Sequence, residues 1–298
     1  MSLVSHTSAR WRIKAIVPKP CCLALVALVL AICLTSGCAM QKPLVRLPEV
    51  PPKLETLEDA RQLLTQNYGY AQSVKASGEI SVKLQREENW RPASVVLIVE
   101  KPDKARVRAY RPLTPTLFEL VSDGQKCWLF IPSENTAYLD EHCNAVQRGE
   151  KGIAISAEAI VAALMVVSDF DKLFSLPVSV SRDTKILRLA FGGKAGVKRE
   201  IWMDLKTGLV IHQSFFGPDG AIEADIAYKE VDMLDTGAVP TEISLKLPRF
   251  HSSMMLRISE FQVNPKVSAN AFSFSPPTGA QILPPSRQRL ESYFSGEL

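Results

Sequence analysis

The chain has 298 residues, of which 46% are hydrophobic and 22% charged, and this composition suits one large globular domain or two small ones. Residues 1–37 hold four basic and no acidic residues, so that beyond them Lys and Arg fall from 35 to 31 and match the 31 Asp and Glu. A neutral folded part argues against nucleic-acid binding through bulk positive charge.

The N-terminus has the three parts of a secretory signal. Basic residues precede the apolar run Cys21–Leu34 (CCLALVALVLAICL), and small residues follow it. An apolar run of this length is short for a membrane span, although a retained anchor that extends to Met40 stays open as an alternative.

The sequence LTSGC, which ends at Cys38, resembles the lipobox of bacterial lipoproteins. The resemblance implies removal of residues 1–37 and lipidation of Cys38, and the absence of Asp at the next position suits export to the outer membrane. Ordinary cleavage after Ala39 is the alternative. The Pro-rich run Gln41–Leu54 then predicts an extended, semi-rigid stalk.

Folding is expected to begin with an amphipathic helix over Leu57–Val74, because Thr56 can cap it and apolar residues recur at helical spacing. About twelve strands follow, rich in β-branched and aromatic residues. In chain order they are GEISVKLQR, ASVVLIVEK, KARVRAYR, LFELVSD, QKCWLFIP, PVSVSRD, KILRLAFG, KREIWMDL, GLVIHQSFFG, AIEADIAYKE, TEISLKLP and SMMLRISEFQ.

The connections between these strands predict antiparallel pairing. SDGQ, PSEN, GGKAG, LKTG and GPDGA each place turn-forming residues between two strands. Only the helical stretch Ser156–Phe174, whose apolar residues are too many for a single stripe, is long enough for a parallel crossover. We therefore predict one large, curved antiparallel sheet of about 11–12 strands with helices on one side, an α+β fold.

Several strands are apolar on both faces, as in VVLIV at Val95–Val99 and CWLFI at Cys127–Ile131. One face of such a sheet has to look inward, either at a core filled by side chains or at a lipid-sized cavity. The sequence alone leaves both open.

Catalytic signatures are missing from the sequence: it has no G-x-S-x-G, no phosphate-binding loop and no H-E-x-x-H. His142, His212 and His251, the histidines beyond the leader, have no partner ligand at helical spacing. EHC at Glu141–Cys143 lacks the second clustered pair that zinc sites usually show. We expect a protein without catalysis, cofactor or metal.

Cys127 and Cys143 lie on successive segments of one hairpin around PSEN. If the turn centres near Glu134, the partner of Cys127 falls near Glu141, two residues from Cys143. An oxidising compartment would allow a structural disulfide between them, and two free thiols are the alternative.

The order of these motifs resembles the LolA/LolB superfamily of bacterial lipoprotein-sorting proteins, and within it the membrane-anchored LolB-like branch. The resemblance covers roughly residues 55–283. The features that carry it are Gly78, KPDKAR at Lys101–Arg106, RPL at Arg111–Leu113, SDG at Ser122–Gly124, WLFIP at Trp128–Pro132 and AFSFSPPTGAQIL at Ala271–Leu283.

The resemblance implies an incomplete barrel with helical lids around a hydrophobic cavity that receives acyl chains. In the anchored branch a protruding leucine helps to place these chains in the outer membrane, and Leu113 matches it; its alternative role is to fold back over the barrel rim. Strand alternation selects eight cavity candidates. They are Val96, Ile98, Val107, Phe118, Leu120, Trp128, Phe130 and Trp202.

These expectations describe a lipid-anchored protein on the periplasmic face of the outer membrane, with acyl chains of lipoproteins or lipids as ligands and a soluble lipoprotein carrier as a further partner. The predicted organisation is a signal peptide at 1–37, the lipidated cysteine and stalk at 38–54, the half-barrel domain at 55–283 and a tail at 284–298. The rival functions are a structural or sensing lipoprotein that binds a protein partner, and an envelope hydrolase.

Overall fold

The computed structural model describes residues 54–84, 91–111, 116–141, 157–193, 196–248, 252–268 and 270–283. Cys38, Leu113, His142, Cys143 and His251 lie outside these residues, as do the leader and the tail. Among the described helices, none has the length and apolar character needed to cross a membrane.

Three α-helices are described: α1 is Leu57–Tyr68, α2 is Ala157–Met165 and α3 is Phe170–Phe174. The first begins where the sequence predicts, because the Thr56 hydroxyl accepts a hydrogen bond from the Asp59 amide (3.1 Å) and the Asp59 carboxylate accepts one from the Thr56 amide (2.8 Å). It ends earlier than predicted, at Tyr68, since Ser73 already starts a strand. The predicted helical stretch Ser156–Phe174 is divided into α2 and α3.

Fourteen strands among the described residues form a single sheet. They are β1 Ser73–Leu84, β2 Arg91–Glu100, β3 Lys104–Tyr110, β4 Thr116–Asp123, β5 Cys127–Ile131, β6 Thr136–Asp140, β7 Val178–Arg182, β8 Ile186–Gly193, β9 Gly196–Asp204, β10 Val210–Phe216, β11 Ile222–Leu234, β12 Gly237–Leu247, β13 Ser252–Val263 and β14 Gln281–Leu283. Their order is β14-β6-β5-β4-β3-β2-β1-β13-β12-β11-β10-β9-β8-β7.

The sheet consists of two antiparallel meanders, β1–β6 and β7–β13, joined where β1 pairs with β13. At this seam the register shifts next to Gly78, and a Cβ at that position would overlap the carbonyl oxygen of Arg257. Glycine is therefore required for the two strands to approach each other.

The predicted fold class is confirmed, since the sheet is large, antiparallel and unclosed, with few helices. All twelve predicted strands are present, and the structure adds β6 and the three-residue β14. The strand β14 lies parallel to β6, the one parallel pairing described in the sheet. It is short and follows a chain segment with no regular pattern, so alternation could not identify it.

The two faces of the sheet differ in what covers them. Val95, Leu97 and Val99 of β2 are buried and pack in the main core with the helices, and we call this face the helix side. The intervening Val96 and Ile98 are only half-buried on the opposite face, which we call the open side.

Helix α2 packs on the helix side of the sheet. It contacts β2 and β3 in the first meander and β12 in the second. Its described side chains are all apolar, and all except Ile160 are buried. This all-round burial explains why its apolar residues exceed a single stripe.

Candidate functional site

The eight predicted cavity residues do not share one face of the sheet. Val107 and Leu120 are buried on the helix side, and Phe118 packs against the same core. The other five lie on the open side. These are Val96, Ile98, Trp128, Phe130 and Trp202.

The split has a simple cause in the register. Val107 is paired with Leu97, so the residues of β2 that share the helix side with Val107 have odd numbers. The prediction of Val96 and Ile98 for that face is therefore wrong by one residue. Because β2 is apolar on both faces, its sequence could not reveal the displacement. The eight residues therefore do not line one cavity: three of them lie on the helix side and five on the open side.

A buried polar network fastens the C-terminal end of α2 to the second meander. The Arg199 guanidinium donates to the carbonyl oxygen of Val166 (2.5 Å) and to the side-chain oxygen of Gln213. The Tyr228 hydroxyl donates to the carbonyl oxygen of Ala162 (2.8 Å). Burial raises the pKa of Tyr228 above its ordinary range, so that the hydroxyl stays a proton donor.

This network was missed by the sequence reasoning, although a signal was present. In REIWM, Arg199 alternates with Ile201 and Met203, so it occupies a core-facing position of β9. A cation at such a position has to find buried acceptors, and the free carbonyls at a helix C-terminus are suitable ones.

A pocket of about 450 Å³ lies on the open side of β2–β4. Val96 and Ile98 supply its apolar lining, and it is also lined by Arg106, Arg108, Tyr110 and Glu119. Arg106 is fixed in place by three contacts: two with the Glu119 carboxylate (2.7 and 2.8 Å) and one with the carbonyl oxygen of Ala271 (2.9 Å).

The chain from Asn270 to Leu283, which we call the strap, crosses the open side beside this pocket and ends as β14. The ring of Phe274 contacts Trp128 and Phe130, with centroid distances of 5.6 and 5.8 Å. Asn135 donates to the carbonyl oxygen of Gly279 (2.9 Å) at the far end. Two of the predicted cavity residues are thus covered by a segment of the chain itself.

The one described histidine belongs to a cluster on the open side of β9–β11. His212 and the Ser214 hydroxyl lie 2.7 and 2.9 Å from the same oxygen of Asp225, and the hydrogen bond from His212 lowers the pKa of Asp225. Trp202 packs against the imidazole at 4.4 Å. The Ser214 hydroxyl therefore donates its hydrogen bond to the Asp225 carboxylate.

Two further predictions concern metal and disulfide chemistry. Within the described ranges no group of three or more His, Cys, Asp or Glu could hold a metal ion. Cys127 is disulfide-bonded. Since Cys143 lies outside the described residues, their pairing stays a prediction.

These features define a class of protein: an unclosed antiparallel half-barrel that packs an apolar helix against one face. Crystal structures of the same fold are known. No known family profile matches the sequence, and no curated protein matches it.

A LolA superfamily protein from Nitrosomonas europaea is similar at a TM-score of 0.50 and 12% identity, over 74% of this chain and 99% of that one. A DUF1329 family protein from Desulfovibrio piger gives the same TM-score and identity, over 74% and 98%. The resemblance to the LolA/LolB superfamily is thus confirmed for the fold. Assignment to the LolB-like branch stays a prediction.

Proposed function

We propose that this protein is a lipid-anchored protein of the bacterial outer membrane that binds acyl chains of lipoproteins or other lipids, without catalysis. The observation that carries the proposal is the helix side of the half-barrel, where apolar strands are covered by an apolar helix. Acyl chains need such a surface, because each methylene taken from water contributes about 0.8 kcal/mol.

The proposed ligand site is the surface that α2 now covers. There Leu97, Val107 and Leu120 form a continuous row across β2, β3 and β4, since each is paired with the next. Acyl chains would replace the apolar contacts of α2 with similar ones, so binding mainly has to overcome the hydrogen bonds that hold the C-terminal end of the helix.

Delivery of the ligand would involve the loop that contains Leu113. Tyr110 and Arg111, which precede this loop, are both exposed at the end of β3. We propose that Leu113 enters the periplasmic leaflet of the outer membrane and that a soluble periplasmic carrier supplies the lipoproteins. Leu113→Glu should then retain acyl binding and lose transfer to membranes, because a charged side chain is costly in hydrocarbon.

The proposal can be tested by photo-crosslinking with the full chain in growing cells. The photoreactive residue p-benzoylphenylalanine would replace Phe118, which faces the helix side, or Trp202, which faces the open side of β9 and serves as the matched aromatic control. After illumination, adducts would be purified and analysed by mass spectrometry.

We expect lipoprotein or acyl-lipid adducts at position 118 and several-fold fewer at position 202. Equal labelling at both positions would contradict acyl binding on the helix side, and adducts at 118 that contain only proteins without acyl chains would contradict acyl binding altogether. The second result would instead favour a structural or sensing lipoprotein that binds a protein partner.

A further inference from the structure

The open-side pocket combines an apolar lining with one available cation. The side chains of Val96 and Ile98 are half-buried there, and they lie beside Arg108 and Arg106 because these four residues are cross-strand partners. Its volume of about 450 Å³ falls within the roughly 300–1,000 Å³ usual for small-ligand sites.

The two arginines of the pocket have different roles. Arg106 is paired with Glu119, so the charges of these two side chains cancel within the pocket. Arg108 donates only its Nε to the Thr116 hydroxyl (2.9 Å), and across the described part of the chain its two terminal nitrogens have no acceptor. The side chains that line the pocket therefore carry one net positive charge, and among the described residues Arg108 keeps donors that no acceptor uses.

We infer that this pocket is a second lipid site, separate from the helix side, which takes an acyl chain with an anionic carboxylate or phosphate head. The chain would lie over Val96 and Ile98, and the head would accept hydrogen bonds from the free guanidinium nitrogens of Arg108. Guanidinium groups bind both kinds of oxyanion in this way, whereas an ammonium head cannot accept these hydrogen bonds and an uncharged head would accept weaker ones.

The inference goes beyond the proposed function, because it assigns a different face of the sheet and a choice between head groups. The inference also gives a role to the contacts of Arg106 with Glu119 and Ala271. That arrangement leaves Arg108 as the residue that determines specificity, while Arg106 holds the strap beside the pocket.

The test uses the full chain, reconstituted in phosphatidylcholine nanodiscs, and three photoactivatable probes with matched diazirine-bearing hexadecyl chains. They are palmitic acid, phosphatidylglycerol and hexadecylamine. Labels would be assigned to single residues by tandem mass spectrometry for the protein as it is, for Arg108→Gln and for Lys198→Gln. Lys198 is an exposed cation on distant β9 and gives a matched control.

We expect palmitic acid or phosphatidylglycerol to label the open-side residues Val96, Ile98 and Tyr110, and the probe that does so identifies the source of the head group. This labelling should fall about tenfold in Arg108→Gln, the loss expected for a charge-assisted hydrogen bond, and stay unchanged in Lys198→Gln. The yield of labelling by hexadecylamine at the same residues should be several-fold lower.

Equal labelling by all three probes, or labelling that is insensitive to Arg108→Gln, would overturn the inference. Labels confined to helix-side residues such as Leu97 and Val107 would overturn it and leave the proposed function intact. Because circular dichroism can verify that both variants remain folded, loss of labelling in Arg108→Gln alone cannot be attributed to unfolding.

Discussion

At the scale of single residues, Lys101 is a half-buried cation at the end of α1. Its ammonium group donates to the carbonyl oxygen of Tyr68 (3.0 Å), the last residue of α1, and lies 5.2 Å from the ring centre of Phe170. Burial lowers its pKa from 10.5 to about 8, although the nearby charge of Asp169 partly opposes the shift. The cation thus completes a helix C-terminus that has no basic residue in its own last turn.

Because the pKa of Lys101 is lowered, the free energy of unfolding should depend on pH in the alkaline range. Between about pH 8 and 10.5 the unfolded chain binds a proton at Lys101 that the folded chain has lost, so the free energy of unfolding should rise with pH. In Lys101→Met the rise should be smaller by about 1–2 kcal/mol, since a unit of pKa corresponds to about 1.4 kcal/mol and solvent screening reduces the total. Urea unfolding at several pH values measures it.

Lys104→Met is the matched control for this measurement. The hydrogen bond from Lys104 to Glu100 raises its pKa, so its contribution to stability is present below the ordinary pKa of lysine and is lost at still higher pH. The control should therefore keep the alkaline rise of the unmodified protein. A rise of equal size in Lys101→Met would show that Lys101 keeps its proton throughout this range.

At the scale of elements, α2 is held by few polar contacts compared with its apolar ones. Tyr228→Phe removes the hydrogen bond to Ala162 and keeps the ring, so it should lower the free energy of unfolding by about 1–2 kcal/mol. Hydrogen exchange of the α2 amides should become faster. If cargo replaces α2, the variant should also give more lipid adducts at position 118.

Tyr110→Phe provides the comparison, because the side chain of Tyr110 is exposed on β3 and is remote from the contacts of Tyr228. It should leave both stability and exchange of α2 nearly unchanged. Faster exchange without more adducts in Tyr228→Phe would mean that movement of α2 does not limit access of lipid to the helix side.

The strap is the second element whose packing can be measured. Phe274→Ala removes the ring that contacts both Trp128 and Phe130, and should cost about 1–2 kcal/mol of unfolding free energy. Water would reach Trp128, so tryptophan emission should shift to longer wavelength. Ser275→Ala changes the neighbouring exposed residue and should leave the spectrum unaltered. An unshifted spectrum in Phe274→Ala would mean that the strap does not cover Trp128 in solution.

At the scale of the whole molecule, the features that depend on short-range patterns could be predicted from the sequence. Alternation and turn residues are local, and they indicate twelve of the fourteen described strands and their antiparallel order. Which face looks at the helices depends on the pairing of Leu97 with Val107, which strands apolar on both sides do not specify. The contact by which Phe274 covers Trp128 on the open side likewise joins residues that are distant in sequence.

The predicted position of the molecule in the cell rests on lipidation of Cys38, which lies outside the described residues. If this cysteine is lipidated, metabolic labelling with palmitate should mark the full chain and the protein should sediment with outer membranes. Two or three acyl chains are enough for stable anchoring, since each buried methylene contributes about 0.8 kcal/mol. Cys38→Ala should abolish the label and release the protein from that fraction.

The leader supplies a matched control in Cys22→Ala, which changes a cysteine of the apolar run and leaves LTSGC intact. This variant should be labelled and anchored normally. Persistent labelling of Cys38→Ala would mean that the lipid is attached to another cysteine. Loss of the label with continued attachment to the inner membrane would favour a retained N-terminal anchor, and then delivery of acyl chains would have to start from that membrane.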